Sequence, residues 1–117
     1  EMLKSCEHFS TLWDYLRTER RRLILYLCYS LRKKSDPIDL DLIKACFEEA
    51  GVIVPRNERL GDDIKFLQEM ELVEYIKGHR GPEYRISIPL MENWIELNID
   101  GIDIIENAKI EGEERAL

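Results

Sequence analysis

The chain has 117 residues and a formal net charge of −7, with 35% charged and 44% hydrophobic residues. This length suits one domain with one core, and the composition is typical of a folded soluble domain rather than a disordered segment. The longest apolar run, Leu23 to Leu31, is far shorter than the ~18 residues that a membrane span requires. No secretory signal is visible and the first residue is Glu1. We therefore expect a cytoplasmic piece of a longer protein, with no membrane partner.

The first two helices are predicted from apolar spacing and capping residues. Residues 9–17 form a short amphipathic pattern with Ser10 as a plausible N-cap. Thr18 is placed to cap a second helix over residues 19–33, unless the two helices are continuous. Because Leu23 to Leu31 is apolar nearly all round, this second helix is expected in the centre of the core.

Two further helices follow. Asp39 or Asp41 is expected to cap a helix that ends at Ala50, with Gly51 closing it. The next pattern predicts a helix from an Asn57 cap to Met70, after a connector over residues 52–55. Its core positions are Leu60, Ile64 and Leu67.

The segment from Leu72 to Pro89 predicts a β-hairpin that directly follows a helix. Two β-favouring runs flank a loop with two glycines and a proline, and the second run alternates apolar and polar residues. A helix that runs into a hairpin with a charged tip is typical of a winged helix, in which Ile38 is expected to bridge to the hairpin as a minimal first strand. We predict an α+β fold that is mostly α, a winged helix with one hairpin and flanking helices.

The end of the chain predicts one closing helix and an acidic extension. Residues 90–98 form the helix, which Asp100-Gly101 breaks. Ile102, Ile104 and Ile105 are compatible with a further helical region to Ile110, and residues 111–117 are expected to fray. The predicted organisation is a lead-in helix over 1–18, a winged-helix domain over 19–98 and an acidic extension over 99–117.

No residue pattern indicates catalysis or a bound cofactor. Cys6, Cys28 and Cys46 are widely spaced without a C-x-x-C pair, so reduced thiols are expected and neither a zinc site nor a redox motif is supported. His8 and His79 lie far apart. Asp62 and Asp63 are adjacent and are expected to be solvated helix charges, and no phosphate-binding glycine loop is present. We expect this segment not to be an enzyme and to hold no metal or cofactor.

The charge pattern bears on nucleic-acid binding. In a helix-turn-helix the second helix of the pair enters the major groove, and here that helix would present Glu58, Asp62, Lys65 and Glu69 on its outer face. Three acids against one base should repel a phosphate backbone. If DNA is bound all the same, the contacts are expected from the following residues: Arg56, Asn57, Arg59, Lys77, His79, Arg80 and Arg85.

A domain interface is the other candidate surface. The first 35 residues carry eight basic and four acidic side chains, and this basic cluster lies on the first helices. Core packing explains most aromatic residues, but a tryptophan near either terminus would, if exposed, mark an interface. The interface candidates are Trp13, Arg17, Arg20, Arg21 and Trp94.

Two segments carry a family resemblance. The run from Tyr84 to Ile95, with its alternating strand, Pro89-Leu90 pair and Trp94-Ile95 pair, resembles the end of the winged-helix domain that follows the ATPase core in prokaryotic AAA+/STAND-type P-loop ATPases. The segment from Leu12 to Leu25 is similar to the entry of that domain. The acidic segment after Asn98 is not part of this pattern.

The resemblance implies a non-catalytic regulatory or protein-interaction module. Its partner would be the ATPase core of the same chain or another protein domain, and a homodimer is also open. The alternative is a DNA-binding winged helix of a transcription regulator.

Overall fold

The computed structural model describes residues 2–34, 36–78 and 81–116, with side chains from residue 8 to residue 115 within those ranges. This part of the chain is α+β and mostly helical, with one antiparallel hairpin. Its elements are α1 (Met2–Tyr15), α2 (Glu19–Ser30), α3 (Leu40–Ala50), α4 (Asn57–Glu69), β1 (Val73–Gly78), β2 (Gly81–Ile86), α5 (Pro89–Asn98) and α6 (Gly101–Ala116).

Helix α1 is longer than predicted. It begins at Met2 rather than near Ser10, so Ser10 lies inside the helix with an exposed side chain and is not a cap. Phe9 and Trp13 are buried on one side, as the i, i+4 spacing requires. Arg17 has φ 69°, and this left-handed residue turns the chain between α1 and α2.

Helix α2 is the centre of the core. The Thr18 cap is confirmed, since its side chain accepts a hydrogen bond from the Arg21 amide at 3.1 Å. The helix ends at Ser30, three residues before the predicted Lys33. Its buried side chains are Leu23, Ile24, Leu25, Leu27 and Cys28. The helix contacts α4, α5, α6 and β2, which confirms its central position.

Helix α3 has the predicted ends. The Asp39 side chain accepts a hydrogen bond from the Leu42 amide at 2.8 Å, and Gly51 closes the helix with φ 79°. A left-handed C′ residue of this kind favours glycine because it has no Cβ. Residues 52–55 then form a connector without strand structure, as predicted.

Asn57 was predicted as the N-cap of α4, but it lies inside the helix, which therefore begins one residue earlier than expected. Arg56 is the N-cap residue and makes no side-chain cap hydrogen bond, while Asn57 is the first helical residue. Leu60, Ile64 and Leu67 are buried, as their spacing predicted. Asp63 is also buried, which the sequence did not indicate.

The hairpin pairs β1 with β2 in antiparallel register, with Val73 opposite Ile86 and Tyr75 opposite Tyr84. The Tyr84 amide also donates a 2.8 Å hydrogen bond to the Ile38 carbonyl. Ile38 is not assigned to a strand, but this bond ties the segment before α3 to the hairpin at the residue that was expected to bridge.

Helices α5 and α6 close the core. Pro89 occupies the first turn of α5, where its missing N–H removes no helical hydrogen bond. The prediction that residues 111–117 fray is wrong for the described part, because α6 continues to Ala116. Ile104 and Ala108 of α6 are buried in the same hydrophobic cluster as the α2 side chains.

Candidate interaction surfaces

Arg20 and Arg21 lie beside a buried carboxylate. Asp63 on α4 has a side chain only 2% exposed, and the Arg20 side chain is 15% exposed. The Arg20 Nε donates to Asp63 Oδ2, its Nη2 donates to Oδ1 at 3.1 Å, and the Arg21 Nε donates to Oδ1 at 3.1 Å. These three guanidinium hydrogen bonds offset the desolvation cost of burying the negative charge of Asp63.

This arrangement corrects two sequence expectations. Asp63 is not a solvated helix charge but joins α4 to α2. Arg20 and Arg21 are not free cations for a domain interface, because Asp63 occupies them, and the Arg21 guanidinium also lies 3.9 Å from the centre of the Phe66 ring. The neighbouring Arg22 pairs with Glu19 at 2.6 Å. Of the predicted basic interface, Arg17 remains exposed, with its guanidinium 5.3 Å from the Tyr15 ring centre.

The two tryptophans are core residues that contact each other. Trp13 and Trp94 are 7% and 8% exposed, and their ring centroids are 5.8 Å apart at an interplanar angle of 54°. They join α1 to α5 in a tilted aromatic pair. The interpretation of Trp13 and Trp94 as exposed interface residues is therefore wrong.

The outer face of α4 is acidic, as its helical spacing predicted. Glu58, Asp62, Lys65 and Glu69 are all exposed. This set, which we call the acidic face, carries three carboxylates and one ammonium group. None of the three carboxylates forms an ion pair within the described ranges, so their negative charge is presented to solvent.

The described part of the hairpin carries balanced charge. Arg85 lies opposite Glu74 in the strand register, and its guanidinium is 3.7 Å from the buried carboxylate of Glu83. Lys77 is exposed. The described hairpin therefore carries two basic and two acidic groups. His79 and Arg80, which were predicted as nucleic-acid contacts, lie outside the described residues.

A cleft of about 550 Å³ lies between the α3–α4 connector and α6. We call it the arginine cleft, because four of its lining residues are Arg20, Arg56, Arg59 and Arg115. Its apolar wall consists of Ile53, Val54 and Pro55, and its acidic group is Glu111. The structure thus brings Arg56 and Arg59, predicted as nucleic-acid contacts, together with Arg115. Asn57, exposed at the start of α4, and the hairpin residues Lys77 and Arg85 do not line it.

The carboxylate of Glu111 is largely committed to α2. It accepts hydrogen bonds from the Glu19 amide at 2.8 Å and from the Arg20 amide at 3.3 Å. These are first-turn N–H groups of α2, which lack partners inside their own helix. Glu111 also lies 3.9 Å from Arg115. Arg56 and Arg59 form no ion pair with any described residue.

The two described cysteine side chains are poor nucleophiles. Cys28 is 1% exposed, and burial raises the pKa of its thiol to about 12. Burial and the nearby Glu49 raise the pKa of the half-buried Cys46. A raised pKa keeps a thiol protonated and therefore slow to react at neutral pH.

Two kinds of feature are absent from the described residues, a cluster of metal ligands and a helix that could span a membrane. No group of three or more histidine, cysteine, aspartate or glutamate residues there is placed to hold a metal ion. Within the same ranges, none of the helices combines the length and apolarity needed to cross a bilayer.

Comparisons of the chain with models of protein families, with curated proteins and with solved structures found no match.

Sequence reasoning missed Asp63, Glu111 and Arg115 as members of these surfaces. Glu111 is separated from its α2 partners by more than 90 residues, and Arg20 from Asp63 by 43. Contacts between residues so far apart in the chain leave no periodic signal, so only the packed helices reveal them.

Proposed function

We propose that this chain is a winged-helix module without catalytic activity, which binds a protein surface and belongs to a larger P-loop ATPase. The observation that carries the proposal is the acidic face of α4. In a winged helix this is the surface that would enter the major groove, and here it presents Glu58, Asp62 and Glu69 to solvent. Three carboxylates at that position oppose the counterion release on which DNA affinity depends.

The element order supports the winged-helix part of the proposal. Three helices, α2, α3 and α4, precede the hairpin, and the Ile38 carbonyl accepts a hydrogen bond from β2. The family-like residues have structural roles that fit this interpretation, since Pro89 starts α5 and Trp94 and Ile95 are buried. The assignment to a P-loop ATPase rests on the sequence resemblance.

DNA binding is the second candidate function, and Arg56 and Arg59 favour it. Both are exposed at the start of α4 and unpaired within the described ranges. They lie next to the acidic face, however, and the described hairpin adds no net positive charge. We therefore give the protein-binding function priority.

Two measurements test the proposal. The first is a fluorescence-anisotropy titration with a duplex of about 20 bp at about 50 mM salt, where electrostatic binding is strongest. We expect no saturable binding at micromolar protein. Tight, salt-steep binding that Arg59→Ala weakens would instead establish the DNA-binding alternative.

The second measurement addresses the ATPase. The complete open reading frame should encode a G-x-x-x-x-G-K-[ST] loop. The ATPase-bearing remainder, produced separately, should bind this domain in a calorimetric titration. An open reading frame without a P-loop would remove the ATPase assignment.

A further inference from the structure

Two arginines of the arginine cleft, Arg56 and Arg59, form no ion pair with any residue that the structure describes. Each of the α2 arginines Arg20, Arg21 and Arg22 has a carboxylate partner, either Asp63 or Glu19. Arg56 and Arg59 have none among the described residues. Since Glu111 is held by the α2 amides, the cleft retains an excess of cationic hydrogen-bond donors.

The cleft also has an apolar wall next to these donors. Ile53 is 49% exposed, although it is a β-branched residue in a short connector between two helices. Val54 and Pro55 extend the same wall and are half-buried. A ligand that fills the cleft must therefore offer both negative charge and apolar surface.

The start of α4 opens into the same region. Its N-cap residue, Arg56, makes no side-chain cap hydrogen bond, so the first-turn amides of α4 have no side-chain acceptor from the cap. Arg56 and Arg59 line the cleft and belong to the cap and first turn of α4, so a carboxylate that they bind would lie at the end of the helix whose dipole favours negative charge.

From these features we propose that the arginine cleft binds a short peptide segment that combines acidic and apolar residues, contributed by a protein partner. This inference rests on the proposed function, because it names the kind of partner surface that such a module recognises. Arg56 and Arg59 bind the carboxylates, and Ile53 with Val54 and Pro55 contacts the apolar side chains.

Size and flanking charge favour a peptide over a nucleic acid. A volume of about 550 Å³ falls within the ~300–1,000 Å³ typical of small-ligand sites, which suits a few residues of peptide. The cleft-lining residues Arg59 and Arg115 have exposed acidic neighbours in the sequence, Glu58 and Asp62 on α4 and Glu113 and Glu114 on α6. A continuous phosphate backbone would have to pass these carboxylates, whereas a short peptide ends before them.

The test is a binding titration with a defined probe. A fluorescein-labelled hexapeptide, Asp-Leu-Asp-Glu-Leu-Asp, is added to the full 117-residue chain, and the amide analogue Asn-Leu-Asn-Gln-Leu-Asn serves as the neutral probe. Amide NMR spectra locate the site. We expect saturable binding of the acidic peptide only, with chemical-shift changes concentrated in residues 53–60 and 108–115.

A pair of double variants with the same change in charge separates the cleft from general electrostatics. Arg56→Gln with Arg59→Gln should weaken peptide binding about tenfold or more, because two charge-assisted contacts are lost. Lys33→Gln with Lys34→Gln removes two exposed cations outside the cleft and should change the affinity less than about twofold.

Several results would overturn the proposal. They are no binding of the acidic peptide at millimolar concentration, equal binding of the neutral peptide, or equal effects of the two double variants. Full displacement of the peptide by inorganic phosphate or by duplex DNA at matched ionic strength would also overturn it. The separate DNA titration tests the proposed function. DNA binding that leaves the peptide bound in the cleft would refute the proposed function and keep the cleft proposal.

Discussion

Arg20 and Asp63, which are 43 residues apart in the chain, connect α2 to α4 through a guanidinium–carboxylate pair in which Nη2 and Oδ1 are 3.1 Å apart. The carboxylate is 2% exposed, so its charge depends on Arg20 and Arg21 for compensation. The pair therefore holds the start of α2 against the middle of α4, beside the arginine cleft.

Replacing Asp63 should destabilise the fold strongly. Asp63→Ala leaves two guanidinium groups without their partner in a partly buried position, and breaking such a pair costs about 3–5 kcal/mol. We expect a fall of this order in the free energy of unfolding, measured by urea denaturation. Asp62→Ala is the control, because Asp62 is the exposed neighbour on the same helix, and its effect should stay within about 0.5 kcal/mol. Equal effects of the two substitutions would contradict a structural role for the ion pair.

Two glycine substitutions should act in opposite directions. A Cβ at Gly101 would lie 2.8 Å from Cζ of Tyr26, and the Tyr26 ring packs against Tyr29 with centroids 5.6 Å apart. Gly101→Ala must therefore shift either the Tyr26 ring, which packs on Tyr29, or the start of α6, at a cost of about 1–3 kcal/mol. The second glycine, Gly61, lies within α4, and a Cβ added at this position would have no neighbouring atom within 4 Å. Gly61→Ala should raise stability by about 0.5–1 kcal/mol. Thermal and urea unfolding measure both, and stabilisation by Gly101→Ala would contradict a close approach of the Tyr26 ring to Gly101.

The buried thiol of Cys28 should make stability depend on alkaline pH. Burial raises the pKa of Cys28 from 9.0 to about 12. Below pH 9 the Cys28 thiol is protonated in the folded and the unfolded state alike, so its burial contributes fully to the free energy of unfolding. Between pH 9 and 12 the unfolded state loses its proton while the folded state keeps it, so the free energy of unfolding falls with pH by at most ~1.4 kcal/mol per unit.

The comparison variant for this effect is Cys28→Ala. It creates a cavity whose cost does not depend on pH, so the gap in stability between wild type and variant should narrow as pH rises above 9. Urea unfolding at a series of pH values measures it. A constant gap would indicate that the Cys28 thiol ionises in the folded state as readily as in the unfolded state.

Reversing the acidic face should create affinity for DNA. The triple variant Glu58→Lys, Asp62→Lys and Glu69→Lys changes the net charge from −7 to −1 and makes the outer face of α4 wholly basic. We expect it to bind duplex DNA at low salt, with an affinity that falls as salt rises. Anisotropy titrations at several salt concentrations measure this.

The control for this variant is a second reversal with the same change in net charge. Asp36→Lys, Glu48→Lys and Glu49→Lys alter exposed residues before and at the end of α3. This control should bind DNA more weakly, because its lysines are not on α4. If both triple variants bind equally, net charge rather than the acidic face governs the interaction.

The sequence alone determined the features that depend on neighbouring residues. Thr18, Asp39 and Gly51 mark helix ends because capping involves backbone groups one to four residues away. The core positions of α4 and its acidic outer face follow from a 3.6-residue period. The antiparallel hairpin follows from two β-favouring runs around glycines.

Only the tertiary structure decided which charged residues form ion pairs and whether the tryptophans are buried. The burial of Asp63 depends on where α2 approaches α4, and Trp13 and Trp94 are core residues because α1 packs on α5. Arg56 and Arg59 share a cleft with Arg115 because α6 folds back over the α3–α4 connector. These contacts join residues tens of positions apart, and local spacing does not specify them. The same arginine-rich sequence therefore yields internal ion pairs on α2 and an open cationic cleft beside α4.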